Sequence, residues 1–152
     1  MAQNRSGRVN TPPLRSPDAP DPTTGFLVTV LLIVNDIARS RDFYARVFDG
    51  KVVRDGTPAM IRIANTWLIL NVGGGPTDDK PDVTASPPSS DRVLTAALNF
   101  RVADIRACYE LWKSRGAHFL TEPKEHKGEI RCYIADPDGH LIELGQATES
   151  IT

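Results

Sequence analysis

In the last third of this 152-residue chain a carboxylate, a phenol and a guanidinium fall within one hairpin. Runs Ile130–Ala135 and Leu141–Gly145 read as strands, and Asp136-Pro137-Asp138-Gly139 between them is a tight-turn signal with Pro second and Gly fourth. Folding about that turn sets Tyr133 roughly opposite Glu143 and Arg131 opposite Gly145. Residues two apart share a face, so Arg131, Tyr133, Leu141 and Glu143 line one surface. Such a group supports two chemistries. If Arg131 neutralises Glu143, the carboxylate is structural or contacts a ligand, because a buried charge needs a partner. If apolar neighbours desolvate it, Glu143 can act as general acid or base on a bound ligand. The first is preferred, since no second acid/base residue stands beside it.

Other reactive residues are dispersed. His118, His126 and His140 show no i,i+4 pairing and no HExxH-like spacing, and solvated or locally bonded imidazoles are expected. His140 follows the turn glycine and reads as exposed, and His126 lies in a polar loop that could close over Arg131 and Tyr133. Cys108 and Cys132 are too few for a disulfide scaffold and read as ordinary thiols of a reducing cytoplasm. No Ser or Cys sits in a nucleophile elbow. Gly73-Gly74-Gly75 precedes Pro76 rather than a helix, so it reads as flexible linker and not as a phosphate cradle.

The elements that must position these residues occur twice. LVTVLLIVNDIARSRDFYARVFDGKVV and LTAALNFRVADIRACYELWKSRGAHFL each contain an apolar strand, Val-x-Asp-Ile, a helix, a Gly and another strand, which indicates duplication. Asp36 and Asp104 are the expected helix N-caps, and Gly50 and Gly116 the expected left-handed stops. Ile37, Phe43, Tyr44, Val47 and Phe48 form one apolar stripe, and Ile105, Cys108, Leu111 and Trp112 the other. Residues 27–34, Lys51–Arg54, Ala59–Ala64, Trp67–Val72 and His118–Leu120 supply further strands, giving β-α-β-β-β twice in an α+β chain.

Around this core the composition is plain. Eighteen Lys/Arg against nineteen Asp/Glu give a net charge of -1, without the field that nucleic-acid binding needs. No run approaches the roughly 18 apolar residues of a membrane span, and no secretory signal core is seen, so a cytoplasmic protein is expected. Residues 1–25 read as a disordered Pro-rich arm with too little apolar surface to offset its ordering entropy. The domain is placed at 26–146, with module one at 26–72, a Pro-rich linker at 73–92 and module two at 93–146, followed by a tail at 147–152.

A duplicated βαβββ carrying VNDIARSRDFYARVFDG and DPDGHLIEL resembles the vicinal oxygen chelate superfamily. That group includes glyoxalase I, extradiol dioxygenases, fosfomycin-resistance thiol transferases and bleomycin-resistance proteins. The resemblance implies two tandem modules forming a cupped mixed β-sheet around a cavity, with Trp67, Ile69 and Asn71 pointing inward beside the Glu143 face. It also implies a divalent metal held at the positions of Thr29, Ala97, Ile69 and Glu143. Only Glu143 is a good ligand, and one carboxylate does not hold a catalytic ion that normally takes three protein ligands. No cofactor is therefore expected, and a divalent metal is disfavoured. The reading is a metal-free small-molecule binding protein of the bleomycin-resistance kind. Trp67 and Tyr133 would stack on the ligand, Arg131 or Glu143 would fix polar groups, Asn99 would offer an amide, and Thr29 and Ile69 would complete the lining. The alternative is an enzyme of lyase, isomerase, dioxygenase or thiol transferase type using Glu143 as acid/base or metal ligand. A cavity filled by the chain's own side chains is a third possibility. The family further implies a homodimer, while the charge balance and the lack of a long apolar run point to no nucleic-acid or membrane partner.

Overall fold

The computed structural model describes residues 17–89 and 92–149. Module one comprises β1 (Val30–Val34), α1 (Ile37–Phe48), β2 (Lys51–Arg54), β3 (Ala59–Ile63) and β4 (Thr66–Val72). Module two comprises β5 (Leu98–Arg101), α2 (Ile105–Ser114), β6 (His118–Phe119), β7 (Lys124–His126), β8 (Glu129–Ala135) and β9 (Leu141–Ala147). The sheets run β1-β4-β3-β2 and β5-β9-β8-β6, with the first strand of each parallel to the last. The α+β fold and the repeated βαβββ order are as the sequence predicts. Module two adds the short strand β7 against β8, which holds His126 opposite Glu129.

Local chemistry explains the helix ends. Asp36 Oδ1 accepts from the Arg39 N–H at 2.9 Å, and Asp104 Oδ1 from the Ala107 N–H at 3.0 Å. The left-handed stop after α1 is Asp49, with φ 54°, rather than the expected Gly50. Gly50 is required for space: a Cβ there would lie 2.7 Å from Ile61 Cγ2 and 2.9 Å from the Tyr44 carbonyl oxygen. Gly116 does take the left-handed conformation, with φ 95°. The second stripe is narrower than expected, because Leu111 is exposed.

Alternation along the strands gives each sheet one face toward the core. Leu32, Val34, Ala59, Ile61, Leu68 and Leu70 pack with Phe43, Tyr44, Val47 and Phe48 of α1. Cys132, Ile134, Ile142 and Leu144 join the same cluster from module two. Phe48 meets Phe100 and Trp112 edge-to-face, with centroids 5.1 and 4.9 Å apart, so one aromatic knot ties the modules together.

A polar seam reinforces that knot. Asp136 is buried and accepts from the Tyr44 hydroxyl at 2.8 Å and from the backbone N–H groups of Asp138 and His140. The Asp138 carboxylate accepts from the Asn35 N–H, the Arg39 guanidinium and the Ser40 hydroxyl. His140 is not exposed, as its place after the turn suggests. It is half-buried, and Nε2 lies 2.7 Å from the Ile33 carbonyl oxygen. A carbonyl only accepts, so Nε2 carries the proton. The 136–140 turn of module two is thereby docked on the β1–α1 junction of module one.

The Pro-rich connector is folded back on itself. Gly74 and Ala85 exchange two backbone hydrogen bonds of 2.9 Å. Gly73 is the residue this closure demands, since a Cβ there would lie 2.4 Å from the Ala85 carbonyl oxygen. The glycine run is thus a specific contact rather than the loose linker its composition suggests. Among the described residues no helix is long and apolar enough to cross a membrane.

Candidate ligand-binding site

The faces of the two sheets turned away from the core carry the candidate residues. In module two the register sets Asn99, Glu143 and Tyr133 side by side on β5, β9 and β8. Asn99 Nδ2 donates to Glu143 Oε1 at 2.8 Å, and the Tyr133 hydroxyl donates to Oε2 at 2.5 Å. The bond to Glu143, with burial second, pushes the Tyr133 phenol above its usual value, so it remains a protonated donor. The hairpin register expected from the turn is the one observed.

The partner assigned to Arg131 differs from expectation. Its guanidinium donates to Glu129 Oε1 at 2.8 Å, not to Glu143. Arg101 donates to the other oxygen of Glu129 at 3.2 Å. These hydrogen bonds, Arg101 first, hold the Glu129 carboxyl below the usual carboxylate range. Gly145 lies between Arg101 and Arg131 in the register, and the Arg101 guanidinium rests over its bare backbone. Glu129 is two residues from Arg131 on the same strand face and captures it locally. Arg101 and Glu129 were not singled out from sequence. The signal was present: Arg101 is two residues past Asn99 and Glu129 two before Arg131, so parity puts all four on one face.

Module one presents a different surface in the corresponding row. Leu31, Ile69 and Met60 stand adjacent there, so an apolar row matches the polar one. The neighbouring row is Lys51, Arg62 and Trp67. The Arg62 guanidinium lies 5.3 Å over the Trp67 ring. The Trp67 indole N–H donates to the main-chain carbonyl of Asp18 at 2.6 Å. The Asp18 carboxylate pairs with Lys51 and, at 3.5 Å, with Arg62. That hydrogen bond from Lys51 lowers the Asp18 carboxyl below its usual value. Asp18 therefore lies against the sheet; residues 1–16 of the expected Pro-rich arm lie outside the described residues.

The structure thus gathers Asn99, Tyr133 and Glu143, with Arg131 one row away, and keeps Trp67 and Ile69 on the other sheet. Thr29 precedes β1 and is half-buried, and Ala97 precedes β5 and is exposed. Two clefts follow the junction of the modules instead of centring on Glu143. One of about 610 Å³ is lined by Leu31, Val93, Leu94, His140 and Leu141. The other, about 640 Å³, is lined by Ile63, Thr66, Asn99, Arg101 and Trp112 and so reaches the polar faces of Asn99 and Arg101.

The donors do not fit the divalent ion implied by the resemblance. Thr29 offers a hydroxyl, Ala97 and Ile69 offer hydrocarbon, and each oxygen of Glu143 already accepts a neutral hydrogen bond. His118 and His126 are exposed on β6 and β7, and His140 is committed to the β1 backbone. The thiols are no better as nucleophiles. Burial pushes Cys132 up to about 11 and Cys108 above its usual value.

Comparison with known proteins agrees with this architecture. The family model described as Glyoxalase/Bleomycin resistance protein/Dioxygenase superfamily matches residues 26–144. Metallothiol transferase FosB of Bacillus licheniformis is 27% identical over 117 residues, covering 76% of this chain and 71% of its own. Among solved structures, a glyoxalase/bleomycin resistance protein/dioxygenase from Nocardioides superposes with a TM-score of 0.68 at 19% identity, covering 86% of this chain and 88% of the other. TnmS3, an antibiotic binding protein from Streptomyces sp. CB03234, superposes with a TM-score of 0.61 at 21% identity, covering 82% and 98%.

Proposed function

Because the chain belongs to the Glyoxalase/Bleomycin resistance protein/Dioxygenase superfamily, we propose that it is a small-molecule binding protein that works without a metal ion. The observation that carries this reading is the engagement of both Glu143 oxygens in a donor set without an imidazole: one accepts from the Asn99 amide and the other from the Tyr133 hydroxyl. Those bonds fix the carboxylate as part of a rigid polar row. Its remaining lone pairs, the second amide hydrogen of Asn99 and the Arg101 and Arg131 guanidiniums form a mixed acceptor and donor surface at the edge of the larger cleft. A ligand with polar groups on one side and an apolar body fits this surface. Its polar side faces the row of Asn99, Tyr133, Glu143 and Arg131, and its body lies in the cleft along Ile63, Leu98 and Trp112. The antibiotic binding protein TnmS3 shares the fold, which makes antibiotic-like compounds a sensible first screening set.

The second reading is an enzyme in which Glu143 is a metal ligand or acid/base, favoured by the similarity to metallothiol transferase FosB. One experiment separates the two. Titration calorimetry with Mn, Ni and Zn, on the wild type and on Glu143→Gln, is expected to show no stoichiometric site. Micromolar one-to-one binding that Glu143→Gln abolishes would replace the binding-only reading with the enzymatic one.

The same proposal includes a homodimer. Its support is the open edge of each sheet: β1 and β5 are terminal strands, and Phe26, Val28, Leu31 and Val93 beside them are 83%, 74%, 57% and 69% exposed. Sedimentation equilibrium is expected to give twice 16.7 kDa and to fall to the monomer mass in Leu31→Glu.

A further inference from the structure

The row formed by Lys51, Arg62 and Trp67 is occupied by the chain itself. Asp18 places its main-chain carbonyl on the Trp67 indole N–H and its carboxylate on Lys51 and Arg62. From the carbonyl carbon through Cα and Cβ to the carboxyl carbon, these contacts engage a four-carbon 1,4-dicarbonyl unit. That unit is a succinyl group. The receiving side chains stand on the adjacent strands β2, β3 and β4 in continuous register, so their spacing is set by the sheet. We propose that this row is a binding site for short 1,4-dicarbonyl anions such as succinate, and that Asp18 is a tethered ligand competing for it.

The side-chain exposures fit a seated ligand on a rim. Asp18 is 23% exposed, whereas Lys51 is 64% and Arg62 42% exposed. Ion pairs at such exposure are individually weak, so the arm is displaceable. The tether keeps the local concentration of the aspartate high, so a free anion binds the wild type with reduced apparent affinity. A free ligand offering the same carbonyl and carboxylate reproduces the contacts to Trp67, Lys51 and Arg62 without backbone rearrangement of the sheet. The inference rests on reading Trp67 as a ligand contact, and is independent of the Glu143 row.

The test is a succinate titration of full-length 15N-labelled protein, followed at the two indole N–H signals. Trp112, in the core knot, is the internal reference. Saturable movement of the Trp67 signal alone is expected, with a Kd about tenfold lower in Asp18→Ala than in the wild type. Butyrate, which lacks the second carbonyl, should leave the signal in place. Arg62→Ala in the Asp18→Ala background should abolish the movement, and Lys51→Met serves if the Arg62 variant does not give a folded spectrum. Absence of a saturable shift in Asp18→Ala, equal Kd values with and without Asp18, or a shift that survives loss of the cation overturns the proposal. Glu143→Gln run alongside should leave succinate binding unchanged, so failure of the Glu143 reading is seen separately.

Discussion

Tyr44→Phe is the sharpest test of how the modules are joined. The substitution removes a single oxygen. That oxygen donates to Asp136 Oδ2 at 2.8 Å, with Tyr44 fully buried and Asp136 only 5% exposed. The ring contacts with Phe43 and Phe48 are kept, so packing is unchanged. Hydrogen bonds to charged groups contribute about 1.5–3 kcal/mol, and at this site water cannot readily replace the lost donor. A loss of about 2 kcal/mol at neutral pH is expected. The pH dependence adds a second constraint. Burial is the largest influence on Asp136 and raises its carboxyl; the bond from Tyr44 opposes that rise. A carboxyl raised in the folded state favours folding most below its unfolded value, and that contribution is lost as pH climbs through the folded value. Removing the phenol raises the folded value further. The stability gap between wild type and Tyr44→Phe should therefore be widest near neutrality and narrow on acidification into the ordinary carboxylate range. Urea denaturation followed by tryptophan fluorescence at both pH values measures it. A gap below about 0.5 kcal/mol at neutral pH, or one that widens in acid, would refute the argument that this bond stabilises a buried charge.

Three further outcomes follow from the geometry. Gly73→Ala pushes a methyl against the Ala85 backbone carbonyl and should lower stability by about 1–3 kcal/mol, with faster proteolytic nicking between residues 74 and 85; unchanged cleavage would mean the closure does not constrain the connector. Gly145→Ala puts a methyl 1.9 Å from Arg101 Nη1, so the guanidinium must swing away. The Glu129 carboxyl should then titrate at higher pH by NMR, because its largest lowering influence is the Arg101 bond; an unmoved titration would show that Arg101 finds Glu129 by another route. Tyr133→Phe removes the donor from Glu143 Oε2, and should weaken binding of any compound selected on the wild type about tenfold while leaving the succinate titration unaltered.

Much of the arrangement was legible in the chain, and the exceptions are instructive. The Asp136–Gly139 turn fixes a count, and that count placed Tyr133 beside Glu143 without reference to anything distant. The capping aspartates were equally local, because each bonds an N–H three residues on. Gly50 misled because two different needs, left-handed backbone and missing side-chain volume, both select glycine. Its neighbour Asp49 took the first role and Gly50 the second.

What the residues determined by themselves was periodicity, duplication and the register of one hairpin, all of which depend on neighbours along the chain. The tertiary structure decided which charges meet. Arg101 reaches Glu129 only because β5 lies parallel to β9 beside β8, Asp138 finds Arg39 across the module seam, and Asp18 settles between Lys51 and Arg62. Ionic and hydrogen-bonded partners are chosen by proximity in space among many residues of the same type. No local pattern marks the pair that a distant strand alignment will bring within 3 or 4 Å.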